Sequence, residues 1–320
     1  MMIIDYFPYF SKYGSEITDL RISVLKDHVD FFVISESNRT HTGELIERNF
    51  PKIAKELNFP IEKIIYIEDE IPDDEHLVVE NIDILNTYES SGFSLNIENK
   101  KSHMARTRER LQKDALLLAL EEFSDDDVFI HSDMDEIINP VHLGYLSEVC
   151  KQNQDIIVKI PLIYYETSAD LRLYWKEKDL PVMWDGGMFL ATKSQLKKAN
   201  PSQIRSNIQN PFPIRYITED GKRVEDLGWH FSWMGDSKYR KIKSDSWAHH
   251  NDSFSWMEFK TYSDSEYTDY IERHNFREGS IPPSGNKHHV LKKYTIDVLP
   301  KILLEENRFK RYFLPNLQDY

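Results

Sequence analysis

Cysteine is nearly absent. Cys150 is the only one in 320 residues, so no disulfide can form within the chain and a disulfide-stapled scaffold is excluded. Long apolar runs are missing as well. No stretch reaches the roughly 18 residues that a membrane-spanning helix requires. Glycine is scarce, at 11 residues, and a collagen-like period and a Gly-rich phosphate loop are both lacking. Positive charge is in deficit: 40 Lys and Arg stand against 54 Asp and Glu, a net charge of −14. A phosphate-backbone binder is normally basic, so nucleic acid is not expected as a partner. The first residues, Met1 to Phe10, lack a basic leader and carry Asp5 and Pro8. They read as a first strand rather than a signal peptide. With the lone cysteine, these absences lead to an expected cytoplasmic location.

What remains is an ordinary globular composition, 40% hydrophobic and 29% charged. The length suits one large α/β domain with an appendage, or two small domains. The first third alternates strand and helix patterns. Met2–Tyr6 reads as a strand, Ile17–His28 as an amphipathic helix, and Phe31–Ile34 as a buried strand. A strand at Lys63–Ile67 follows, then an acidic, poorly periodic stretch from Glu68 to Glu98. Ser102–Phe123 is the strongest helix pattern, with Met104, Leu111, Ala115 and Leu118 on one face. Val128–Ile130 reads as a central strand, and further strands are expected at Ile156–Ile160, Met188–Thr192 and Gly228–Met234. Such an alternation predicts a mostly parallel sheet with helices on both faces. Its ligands are expected beyond the carboxyl ends of the strands. Residues 1–262 are read as the main domain. Residues 263–320, rich in Tyr, Lys and Arg with Pro282-Pro283 in a loop, are read as a helical extension packed on it.

The tetrapeptide Asp133-Met134-Asp135-Glu136 closes the central strand. If strand geometry persists, Asp133 and Asp135 point to the same side. Two carboxylates so close want a cation between them, and hard Mg²⁺ or Mn²⁺ suits oxygen donors. A solvated acidic turn is the competing reading. Downstream, His230 sits between aromatics in Gly228-Trp229-His230-Phe231-Ser232-Trp233. Then come Lys238, Arg240, Lys241 and Lys243, followed by His249 and His250. This basic patch is either a solvated helix face or a phosphate-facing one.

Four ordered blocks resemble glycosyltransferase family 17. They are Val29 through Gly43; the Glu109-x-x-Gln112-Lys113 helix; Asp127 through Ile137; and Gly228 through Gly235 with Lys241-Ile242-Lys243-Ser244 and His249. Together they cover roughly residues 3 to 255. The family usually carries Arg where this chain has Lys113, and Ile138 and Asn139 precede Pro140 here. The resemblance implies a GT-A-like nucleotide-diphospho-sugar transferase sandwich. It further implies a UDP-sugar donor, N-acetylglucosamine the first choice of sugar, with Mn²⁺ or Mg²⁺ as cofactor. The acceptor would be an oligosaccharide or glycolipid.

On that basis Asp135 is expected to hold the metal, with Asp133 at the ribose or the metal's waters, and His230 or His249 as the nitrogen ligand. Glu36, Glu109, Lys113, Lys241 and Lys243 are expected along the donor. Lys113 has the alternative of an i,i+4 bridge to Glu109, and Glu36 that of capping the loop after it. An inverting transfer needs a carboxylate to take the acceptor proton. Asp226 is the first choice and Asp185, in Trp184-Asp185-Gly186-Gly187, the second. Tyr164, Tyr165, Tyr174, Trp175 and Trp184 are candidates for an acceptor wall. A metal-dependent nucleotidyl- or phosphoryltransferase and a non-catalytic sugar-binding module remain the alternatives. The basic stretch Lys287, Lys292, Lys293, Lys301, Arg308, Lys310 and Arg311 reads either as a contact with an anionic inner membrane surface or as a solvated helix.

Overall fold

The structure is a computed structural model that describes residues 1–80, 97–166, 168–219, 222–224, 226–234, 237–246, 248, 279, 288–293 and 295–313. In chain order the strands are β1 (Ile3–Tyr9), β2 (Phe31–Ser37), β3 (Ile64–Asp69), β4 (Val128–His131), β5 (Glu136–Ile138), β6 (Ile157–Lys159), β7 (Leu162–Glu166) and β8 (Leu171–Trp175). Then come β9 (Leu180–Pro181), β10 (Met183–Trp184), β11 (Phe189–Thr192), β12 (Ile214–Tyr216), β13 (Thr218–Glu219), β14 (Lys222–Arg223), β15 (Gly228–Ser232) and β16 (His289–Lys293).

The first sheet has the order β12-β6-β11-β4-β1-β2-β3. β1 runs parallel to both β2 and β4, and β2 parallel to β3; only β11 lies antiparallel to its two neighbours. This is the mostly parallel α/β arrangement expected. Both faces are apolar, as a sheet covered on both sides requires. On β2, Phe32 and Ile34 join one buried cluster and Val33 the other. On β4, Val128 and Ile130 face one way and Phe129 the other. The Ser15–Leu25 helix covers one face through Ile17 and Leu20. The other face is covered by Leu116, Ala119 and Leu120.

A second sheet, β16-β8-β7-β15-β5, packs beside the first, with β10 on β7 and β9 on β8. β4 belongs to the first sheet and β5 to the second. Residues 132–135 are therefore one of the passages from one sheet to the other.

Three elements differ from the sequence reading. The long helix spans Ile97–Asp114, after which Ala115–Glu122 winds as 3₁₀. At the junction the Asp114 carboxylate accepts the backbone N–H and hydroxyl of Ser202, at 2.8 and 2.7 Å. The acidic stretch after Glu68 contains a helix at Asp74–Glu80. The C-terminal segment is not uniformly helical: β16 is a strand, paired antiparallel with all of β8. Its alternation of His289 and Leu291 inward, Val290 and Lys292 partly exposed, is a strand pattern. Helix resumes only at Lys301–Glu305, followed by a 3₁₀ segment at Asn307–Tyr312. Leu303, Phe309 and Tyr312 from this part join the main buried cluster. Lys287, Pro282-Pro283, His249, His250 and Glu225 lie outside the described residues.

Candidate active site

The acidic loop is shaped by one buried arginine. Arg21, fully buried on the Ser15–Leu25 helix, grips Asp5 of β1 at 2.7 and 2.5 Å. Its remaining donors reach the carbonyls of Asp133 (2.8 Å) and Glu136 (2.6 Å) and the hydroxyl of Ser132 (2.6 Å). The Glu136 amide closes a turn onto the Asp133 carbonyl at 3.0 Å. Strand geometry therefore ends at His131, and Asp133 and Asp135 do not share one face. The turn sends each carboxylate to its own partners.

Asp133 and Glu136 share Arg205, from the helix Pro201–Ser206. The guanidinium meets both oxygens of Glu136 at 2.9 Å and also bonds Asp133 Oδ2. Lys113 Nζ lies 3.9 Å from Asp133 Oδ1. Asp135 faces Lys243 Nζ at 2.8 Å through Oδ2 and His230 Nε2 at 3.6 Å through Oδ1. Burial opposes ionisation of Asp135, but the charge of Lys243 and then that of His230 outweigh it, leaving the carboxyl well below the usual range. Glu136 follows the same balance. Burial is offset by the charge and hydrogen bonds of Arg205, and the group is pulled down to about 2. In Asp133 burial prevails over Arg205 and Lys113, and its carboxyl is raised.

An aromatic wall stands against this cluster. The Tyr164 ring stacks on His230 at 4.7 Å, and Trp184 lies 4.7 Å from His230 on another side. The Trp184 indole N–H donates to Glu136 Oε1. Gly187 is required here: a Cβ on it would stand 1.9 Å from that same oxygen. Gly228 is forced by backbone proximity, since its Cβ would lie 2.5 Å from the Ile137 carbonyl. Trp233, at the end of β15, has a φ of 57°, a left-handed conformation costly for a bulky residue. Its ring lies 5.5 Å from the Lys243 ammonium. Tyr13 and Tyr239 meet edge to face at 4.9 Å, and burial, with the Asp135 charge adding, keeps both phenols protonated.

The structure brings together Asp133, Asp135, Lys113, Glu109, His230 and Lys243 from the sequence reading. Lys113 makes the i,i+4 bridge to Glu109 while staying near Asp133. Lys241 lies on the same Ser237–Ser246 helix as Lys243. Asp185 sits between Trp184 and Gly187, which both press on Glu136, and its charge is felt by buried Lys159. Two residues stand apart. Glu36 is fully buried, and its oxygens accept the amides of Asn49 (2.8 Å) and Phe50 (3.0 Å) and the Tyr66 hydroxyl (2.7 Å), so it caps the Phe50–Glu56 helix. Asp226 faces His142 at 3.3 Å, upstream of β15, beyond the Gly228↔Ile138 pair and away from His230↔Glu136. His249 lies outside the described residues.

Arg21, Arg205 and Lys159 are residues that motif reasoning missed. Lys159 Nζ donates to the Arg205 carbonyl at 2.7 Å and so fixes the end of the arginine's helix. Arg205 carries no motif; the one local signal is the Asn200 and Gln203 capping box that starts its helix at Pro201.

No family profile matches the chain, and no characterised protein sequence does. Among solved structures it is similar to glucosyl-3-phosphoglycerate synthase from Mycobacterium tuberculosis in complex with Mn²⁺, UDP and phosphoglyceric acid, at 14% identity over 67% of each chain, TM-score 0.33. It is also similar to 4-diphosphocytidyl-2C-methyl-D-erythritol synthase, at 12% identity over 70% of this chain and 91% of that one, TM-score 0.32.

Proposed function

We propose that the chain is a metal-dependent inverting glycosyltransferase that moves a sugar, N-acetylglucosamine in the first instance, from a UDP-sugar to a glycan acceptor. One observation carries this reading. Three carboxylates at the carboxyl end of a parallel strand, between two sheets, are each faced by a cation of the chain and bounded by an aromatic wall. Carboxylates and cations together suit a metal diphosphate, and aromatic rings beside them suit a sugar.

The donor set fits a divalent ion. Asp135 Oδ1 and His230 Nε2 are an oxygen and a nitrogen donor 3.6 Å apart, types that suit Mn²⁺. His230 Nδ1 is buried without a hydrogen-bond partner. Among the described residues no group of three His, Cys, Asp or Glu is arranged around a metal. These two residues would hold the ion, with diphosphate and water completing its shell. Bound there, it would draw off the negative charge that develops on the departing diphosphate.

The chain's own residues do the rest. Lys113, Arg205 and Lys243 supply fixed positive charge to the leaving group. Arg205 and Arg21 keep the loop from rearranging as charge develops. Trp184 and Tyr164 orient the sugar against the loop and exclude water. Of the two carboxylates considered for the acceptor proton, Asp185 has the better place, because its loop is clasped to Glu136; we assign it the base. Proximity to a cytoplasmic membrane surface is not needed for this reading. Arg308 of the basic C-terminal stretch is already paired, with Asp19 at 3.4 Å and Glu306 at 2.8 Å. No helix among the described residues is long and apolar enough to cross a membrane.

The test is UDP release from a panel of UDP-sugars, with and without Mn²⁺, against oligosaccharide acceptors. Acceptor-dependent UDP release that needs the metal is the expected result. Pyrophosphate release from UTP would instead mark a nucleotidyltransferase, and UDP binding with no turnover on any acceptor would mark a binding module.

A further inference from the structure

We propose that Lys243 is the resident counter-ion of Asp135, so that the acidic loop takes a divalent cation only in company with a diphosphate and rejects the free ion. The inference rests on the donor reading above and adds the order in which the two components bind.

The argument is one of charge and occupancy. The loop contributes three carboxylates, Asp133, Asp135 and Glu136. Three cations of the chain meet them: Arg205 on Asp133 and Glu136, Lys113 near Asp133, and Lys243 on Asp135. Lys113 is shared with Glu109, so the balance is struck at Asp135 itself, where the paired Lys243 leaves no surplus charge with which to dehydrate a free divalent ion. The carboxylate that would ligate through Oδ1 is also engaged, since its Oδ2 holds the Lys243 ammonium at 2.8 Å. Both members of that pair are buried. Separating them leaves an ammonium and a carboxylate without partners, which is costly in a buried setting.

A diphosphate removes the obstacle. The diphosphate of a UDP-sugar carries two negative charges, which enter together with the ion's two positive charges without disturbing the balance. The phosphate oxygens offer Lys243 a new partner while the ion takes its place at Asp135. Lysine suits this exchange, because its compact head rides on a flexible four-carbon stem. The Trp233 ring, 5.5 Å from the ammonium, offers that head a second favourable contact as it leaves the carboxylate.

The experiment measures Mn²⁺ binding to the full chain by the loss of the free-ion electron paramagnetic resonance signal. Asp135→Asn serves as the background for ions held elsewhere on the acidic surface, and circular dichroism checks folding. Wild type should show no binding above that background with Mn²⁺ alone, and saturable binding once UDP is added. Lys243→Met should bind Mn²⁺ without UDP, with affinity raised by about tenfold or more, the equivalent of about 1.4 kcal/mol. Lys243→Arg keeps the cation and should, like wild type, show no Mn²⁺ binding without UDP. Lys243→Gln is carried alongside, so that a misfolded methionine variant does not end the test. Two results overturn the inference: wild type that binds Mn²⁺ alone as tightly as with UDP, or folded Met and Gln variants that gain no Mn²⁺ affinity. Should UDP bind none of these proteins with or without Mn²⁺, the donor reading fails, and the Mn²⁺ arm on the Lys243 variants still decides the counter-ion role.

Discussion

Arg205 holds Glu136 by two guanidinium nitrogens, each 2.9 Å from a different carboxylate oxygen. Glu136 is fully buried and its nearest cationic partner comes from 69 residues further along the chain. Arg205→Met would leave the buried Glu136 carboxylate, and the half-buried Asp133 beside it, facing no guanidinium. Removing one partner of a buried pair costs about 3–5 kcal/mol, so urea unfolding should show a loss of that order. A loss under about 1 kcal/mol, the worth of an exposed pair, would mean that the contact is a surface bridge.

Gly187 gives a steric prediction. With Glu136 pinned by Arg205 and Trp184, a methyl group at Gly187 has nowhere to go. Gly187→Ala should destabilise by about 1–3 kcal/mol, the usual cost of overpacking. It should also displace the Trp184 indole from Glu136, which the tryptophan emission spectrum reports. Gly186→Ala is the control, because a Cβ there would meet only the Trp184 ring at 3.8 Å, an ordinary contact.

The pH dependence has a definite sign. Glu136 is held at about 2, below its ordinary 4.5, and Asp135 is depressed as well. Groups depressed in the folded state contribute stability that is complete above about pH 5 and is lost as the pH falls through their folded values. The urea midpoint should therefore fall steadily from about pH 5 towards pH 2. Asp133 is raised and acts in the opposite sense, its contribution favouring low pH. In Asp133→Asn the fall should persist; a flat profile in that variant would contradict the assignment of Asp135 and Glu136.

The two carboxylates considered for the base separate by kinetics. General-base catalysis contributes about 10²–10⁴-fold. Asp185→Asn should lower kcat by roughly that factor with UDP affinity kept, whereas Asp226→Asn should stay near wild type. The reverse pattern in steady-state UDP release would return the role to Asp226.

Much of this was legible in the residues, and the reasons differ by element. β1, β2 and β4 are buried on both faces, so their apolar runs announce them. The acidic loop stood out because charges directly after a buried strand mark its end. His230 between Trp229 and Phe231 showed by pattern only as a strand, and the family resemblance alone set it beside Asp135, because that contact needs the pairing of His230 with Glu136. Lys243 was one of four bases in a short helix, and nothing local says which turns inward. Arg205 was invisible because its role comes from the meeting of a short helix with a loop about 70 residues earlier. Glu36 misled in the other direction. A carboxylate at a strand end looks like a ligand contact until the Phe50–Glu56 helix is seen starting on top of it.

The passage at 132–135 has a mechanical consequence. It is one of the covalent seams between the two layers, with 160–161 and 185–188 among the others, and the Phe231 amide of the second sheet donates to the Asp135 carbonyl at 2.8 Å across it. Sliding of one layer over the other pulls on these four residues and alters the spacing of their carboxylates. Amides along the seam should consequently exchange with solvent only when the layers part, at the pace of global opening rather than of loop fraying. The stiffness of the charge cluster is thus tied to how firmly the two layers hold to each other.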